Sequence, residues 1–222
     1  MKHALHAEWT KLRTSPGNPA LLAAIVAGTV AIGAAAYSGD PARPVSSLIG
    51  VQLGQAIVAI LAVQAVGPEF LAVSLAAVPR RVRLLTAKAV VLAVVVAVAA
   101  GVAVVGCRFV GDVSVRPAFG TVLYLILIGL LSLGLAVAVR NSAAAIGVVL
   151  TLLYAVPLVT AMIIDPGWQK RLQQINPVSA GLAIQNTTGD GVIGPWKGLG
   201  VLALWTLGAL LAGAAALRRQ DV

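Results

Sequence analysis

Few side chains in this sequence have the chemistry for catalysis, and their placement excludes the common routes. The two histidines, His3 and His6, both precede the first long apolar run, so neither is a base for a serine at membrane depth. The five lysines follow Met1, Thr10, Ala87, Gln169 and Trp196, never a glycine. A phosphate-binding loop needs a Gly–Lys step to bring backbone amides and an ammonium onto one phosphate, so this chain is not expected to hydrolyse ATP. A lone cysteine, Cys107, excludes an internal disulfide and a cysteine-based metal site. All seven acidic residues lie outside the apolar runs, which weakens any proton-coupled carrier, since those usually place a carboxylate or histidine within the membrane. No catalytic residue, metal site or cofactor is assigned to the chain. What remains inside the apolar runs is mild polarity: Gln52, Gln55 and Gln64 in one, Thr151, Tyr154 and Thr160 in another. Such groups either bond between helices or line a path for a polar or amphipathic solute.

The elements that hold these residues follow from hydropathy. Of 222 residues, 59% are hydrophobic and 10% are charged, against roughly 25% charged in soluble domains. Six apolar stretches are long enough to span a hydrocarbon core of roughly 30 Å: residues 19–37, 46–66, 86–106, 118–139, 142–164 and 198–217. Inside lipid each backbone amide must find its partner within its own segment, so these are helices. The alternating pattern of a membrane barrel is missing. The expected fold is one all-α transmembrane domain over residues 1–222.

Orientation follows from the basic residues in the connections. With the N-terminus in the cytoplasm, ten Lys and Arg lie on the inner side and six on the outer. Both ends of the chain are therefore expected inside, in a multi-pass plasma-membrane protein with no cleavable leader. The net charge of +9 reads as this topology signal, not as a nucleic-acid surface.

Three stretches outside the spans carry further information. In residues 1–18, Leu5, Trp9 and Leu12 share one helical face while Lys2, Lys11 and Arg13 flank it. That is the pattern of a helix lying in the interface, anchored by Trp9, Lys11 and Arg13; a basic tail that only enforces topology is the alternative. In the inner loop 67–85, Pro68 and Glu69 suit a helix start, Phe70 and Leu71 open an apolar run, and Arg80, Arg81 and Arg83 follow Pro79. The run is too short to span and too apolar to stand bare in water, so the membrane, neighbouring helices or a second protein must cover it. In the outer connection 165–197, Asp165–Pro166 reads as an N-cap with proline at N1, and Asn176–Pro177 breaks the helix before a second short one. Two short helices capping the outer mouth are expected.

Four segments carry a resemblance: AEWTKLRT at 7–14, LAAVPRRVRLLTAKAVV at 75–91, NPVSAGLAI at 176–184, and PWKGLGVLALWTLGALLAGAAALRRQDV at 195–222. In this order around six spans, the chain resembles the permease subunits of ABC-2 type ATP-binding cassette exporters, of the compact actinobacterial kind. The resemblance implies a type V exporter fold with residues 1–18 as an elbow helix. It implies that loop 67–85 docks on a separate ATPase through Glu69, Phe70, Leu71, Arg80 and Arg81. Gln52, Gln55, Thr151 and Tyr154 would line the substrate path between two permease chains, identical or paralogous, and ATP and Mg²⁺ would be held by the partner subunits. One departure stands out: after Glu69–Phe70 the basic residue and glycine of the family pattern are missing, and the loop is about one helical turn short. The alternatives are an ATP-independent channel or secondary carrier, and a non-transporting scaffold or immunity protein.

Overall fold

The structure, a computed structural model, describes residues 9–10, 17–39, 48–66, 81–111, 113–187 and 191–218. Among them there is no strand. Five helices are long and apolar enough to cross a membrane. They are α1 (Gly17–Gly39), α3 (Arg81–Val110), α4 (Val115–Val139), α5 (Ser142–Ala161) and α8 (Pro195–Arg218). The expected second span is shorter than its apolar run: α2 is the 14-residue helix Val51–Gln64. At about 1.5 Å per residue it covers roughly 21 Å, less than a full hydrocarbon core. α3 goes the other way, its 30 residues reaching about 45 Å, so that Arg81 and Arg108 stand near its two ends.

The joints follow local chemistry. α4 ends on Arg140 in the left-handed conformation, with φ 64°, and Asn141 immediately caps α5 by accepting from the Ala144 amide at 2.9 Å. A two-residue joint of this kind folds α5 back antiparallel to α4. Asp165 accepts from the amides of Gly167 and Trp168 and starts α6 (Pro166–Ile175). Asn176 repeats the device with Val178 and Ser179 and starts α7 (Pro177–Leu182), which runs on as a 3₁₀ turn, Ala183–Gln185. The Asp165 cap agrees with the sequence expectation; Asn176, expected as a break, is also the cap of the next helix.

α4 is the centre of the bundle. Tyr124, Leu125, Ile128, Leu131 and Leu133 have no exposure, and α2, α3, α5 and α8 all pack on it. Lipid gives no hydrophobic drive between helices, so small residues that permit close backbone approach decide where helices cross. At the α4–α8 crossing, a Cβ on Gly134 would lie 2.5 Å from the Ala209 carbonyl carbon. A second close crossing joins α1 to the start of α2: a Cβ on Gly50 would meet the Thr29 carbonyl oxygen of α1 at 2.0 Å.

The second short helix sits deeper than a lid. Pro177, Val178, Ala180, Gly181 and Ile184 are buried, wedged between the starts of α4 and α8. A Cβ on Gly198 of α8 would stand 2.0 Å from the Ala180 carbonyl oxygen, and one on Gly181 would stand 2.8 Å from the Tyr124 ring. Polar ties hold the wedge: Gln185 Nε2 donates to Thr121 Oγ1 at 3.1 Å, Gln174 Nε2 to the Val192 carbonyl, and Trp205 Nε1 to the Ile175 carbonyl, both at 2.9 Å.

Candidate functional site

Three of the four residues expected to line a substrate path meet at one place. Gln52 and Gln55 stand in the first two turns of α2, and Tyr154 reaches them from α5. The Tyr154 hydroxyl donates to the backbone carbonyl of Gln52 and lies within reach of the Gln55 side chain and the Ala56 amide. Its oxygen therefore sits beside the i→i−4 bond of α2 that would join those two backbone groups. Thr151, one turn earlier on α5, is exposed on the outside of the bundle and makes no contact with the cluster that the structure records.

A residue that the sequence reading missed completes the arrangement. Tyr124, wholly buried on α4, donates its hydroxyl proton to Gln55 Oε1. Counted from Val115, it is about 14 Å along its helix, deep in the apolar slab. Gln55, itself 2% exposed, can accept only through its carbonyl oxygen. With that oxygen engaged by Tyr124, its NH₂ is left to donate toward Tyr154. The result is a polar cluster: Tyr124 is bonded to Gln55, Tyr154 is bonded to the Gln52 carbonyl, and the Gln55 amide lies within reach of the Tyr154 hydroxyl. A signal was present: a phenol inside the run TVLYLILIGLL would be costly without a partner.

The helix that carries Tyr154 is specially built there. Residues Thr151–Ala155 form a π-helical turn, and the Val156 amide bonds back to the Thr151 carbonyl. The widened turn lies just before Pro157. Proline lacks an amide proton and crowds the carbonyl four residues earlier, and a π-turn absorbs both defects. Such turns recur at functional positions. Tyr154 is 40% exposed, and the side chain of Gln52 is exposed beside it, so the inner part of the chain is sealed while its outer end is open.

A second buried polar group lies at the far end of α2. Lys88 of α3 is 4% exposed, and its Nζ donates to the Ala65 carbonyl at 3.1 Å. The last carbonyls of a helix lack intrahelical donors and carry partial negative charge, so an ammonium there complements both. Sequence counting treated Lys88 only as a topology charge. Its contact ties α2 to the start of α3, flanking the loop between them.

Several expected site residues fall elsewhere. Glu69, Phe70, Leu71 and Arg80 lie outside the described residues, as do Lys11 and Arg13. Arg81 is the first residue of α3. Trp9 is helical and 47% exposed. No protein-family model matches the chain, and no curated protein matches it. Five apolar spanning helices make it a membrane-embedded protein.

Proposed function

We propose that this chain is the membrane permease subunit of an ATP-driven exporter, working as a pair of permeases with two separate ATPase subunits. The observation that carries the reading is the meeting of α2 and α5 at Gln52, Gln55 and Tyr154. It sets an uncharged polar strip, open at one end, on the side of an otherwise apolar bundle. Hydrogen-bonding groups without fixed charge suit a path for a polar or amphipathic solute, and this strip supplies them. The sequence resemblance points the same way, and the absence of a Gly–Lys phosphate motif requires an outside source of energy.

In this reading α2, together with the residues just before it, completes a sixth span, and both chain ends face the cytoplasm. Loop 67–85 meets the ATPase, with Glu69, Phe70, Leu71, Arg80 and Arg81 at the contact. Thr151 turns toward the second permease. Lys88, by holding the end of α2 against α3, makes the two stems of that loop move together. Transport would be outward and powered by ATP and Mg²⁺ bound on the partner subunits.

Affinity purification of the tagged chain from its native host tests the proposal. A nucleotide-binding subunit should co-purify, and the complex should hydrolyse ATP in lipid. Repeated isolation without any such subunit, or gradient-driven flux indifferent to ATP, would overturn the assignment in favour of a channel, a carrier or a scaffold.

A further inference from the structure

An apolar groove of roughly 460 Å³ runs along the perimeter between α4, α5 and α8. Leu131 and Leu135 form one wall, Leu152 the other, and Trp205, Gly208 and Ala212 the floor. Gly208 and Ala212 are one turn apart on α8, and no atom stands within 4 Å of where a Cβ on Gly208 would be. The floor is therefore a shallow trough. From Leu204 to Ala212 it extends about 12 Å along α8, across the middle of the apolar run 198–217.

One end of this trough is tied to α6. The Trp205 indole, which lines the groove, donates to the carbonyl of Ile175, the last residue of α6. Side chains on a helix lean toward its N-terminus, so the indole holds α6 on the side where α8 begins. α6 has no buried residue. Trp168, Leu172 and Ile175 share one face at i, i+4, i+7, and Trp168 and Ile175 are each 60% exposed. Lys170 and Arg171 are also exposed, with the Arg171 guanidinium 5.8 Å from the centre of the Trp168 ring. The nearest acid in sequence, Asp165, is occupied as the helix cap. A tryptophan, apolar neighbours and two adjacent cations on an exposed helix are the features of a headgroup-level segment.

We infer that the groove and α6 together bind one anionic phospholipid, with an acyl chain in the trough below Trp205 and the phosphate at Lys170 and Arg171. Neither half is sufficient alone. The groove has no polar side chain other than the indole to choose a headgroup, and α6 by itself would attract any anion. Their junction at Trp205 and Ile175 places a tail site next to a cationic site, which selects a molecule with both parts. The inference stands independently of any ATPase partner.

The test uses the full chain in phosphatidylcholine vesicles, with tryptophan fluorescence read against dibrominated lipids. Brominated phosphatidylglycerol should quench at a mole fraction roughly thirtyfold lower than brominated phosphatidylcholine, the scale expected for two cations at a membrane surface. Lys170→Gln with Arg171→Gln should bring the two lipids level. Gly208→Leu with Ala212→Leu, which fills the trough, should abolish the saturable part of the quenching. Soluble glycerol phosphate should not compete. Equal quenching by both lipids in the unaltered protein would overturn the assignment. So would a preference that survives loss of both cations, or competition by the headgroup alone.

Discussion

The phenol of Tyr124 donates to the side-chain carbonyl of Gln55, joining the most buried aromatic of α4 to a polar residue 69 positions earlier on α2. Neither group has water available, so each depends on the other. Because Gln55 also faces Tyr154, the pair fixes which end of the amide is offered to α5.

Tyr124→Phe should therefore destabilise the protein by about 1–3 kcal/mol, the cost of leaving a buried acceptor unpaired. Adding Gln55→Leu should recover part of that loss, since removing both partners is far less costly than removing one. Thermal unfolding in detergent, arranged as a double-mutant cycle, measures the coupling. Additive losses would show that the two side chains do not act as a pair.

Lys88→Met should change global stability little, because the lost hydrogen bond is offset by relief of burying an ammonium. Its effect should be local. Backbone amides near the end of α2, residues 61–66, should exchange with deuterium several-fold faster once the Ala65 carbonyl loses its donor. Unchanged exchange there would mean that Lys88 does not hold the helix end.

Two glycines on α8 should respond in opposite ways to the same change. Gly198→Ala drives a methyl to within 2.0 Å of the Ala180 carbonyl oxygen and should cost about 1–3 kcal/mol through displacement of α7. Gly200→Ala enters open space and should be neutral or stabilising by up to about 1 kcal/mol from helix propensity. Melting curves of the two variants side by side decide whether α7 is wedged where the structure has it.

Trp205→Phe keeps the ring but removes the donor to the Ile175 carbonyl. A loss of about 1 kcal/mol is expected, with faster deuterium exchange confined to α6 and the start of α7. Loss of protection spread through α8 would contradict the role assigned to that bond.

Much of this architecture was legible along the chain because its signals are local. Hydropathy and length placed α1, α3, α4, α5 and α8 within a few residues of where they lie, since lipid admits only internally bonded helices. Asn141, Asp165 and Asn176 cap the helices that follow them; of these, Asp165–Pro166 was readable as a cap and Asn176–Pro177 as a break.

What only the tertiary structure decided is the pairing between elements. Spanning helices are apolar all round, so the pattern along α4 does not say which face packs and which meets lipid. Tyr124 therefore gave no hint that it would find Gln55, nor Lys88 that it would find Ala65. The run read as a second span holds, over its described residues, the shorter α2. α7 fits between α4 and α8 because Gly198 and Gly181 leave room for it, a condition that depends on distances in space and has no counterpart in spacing along the chain.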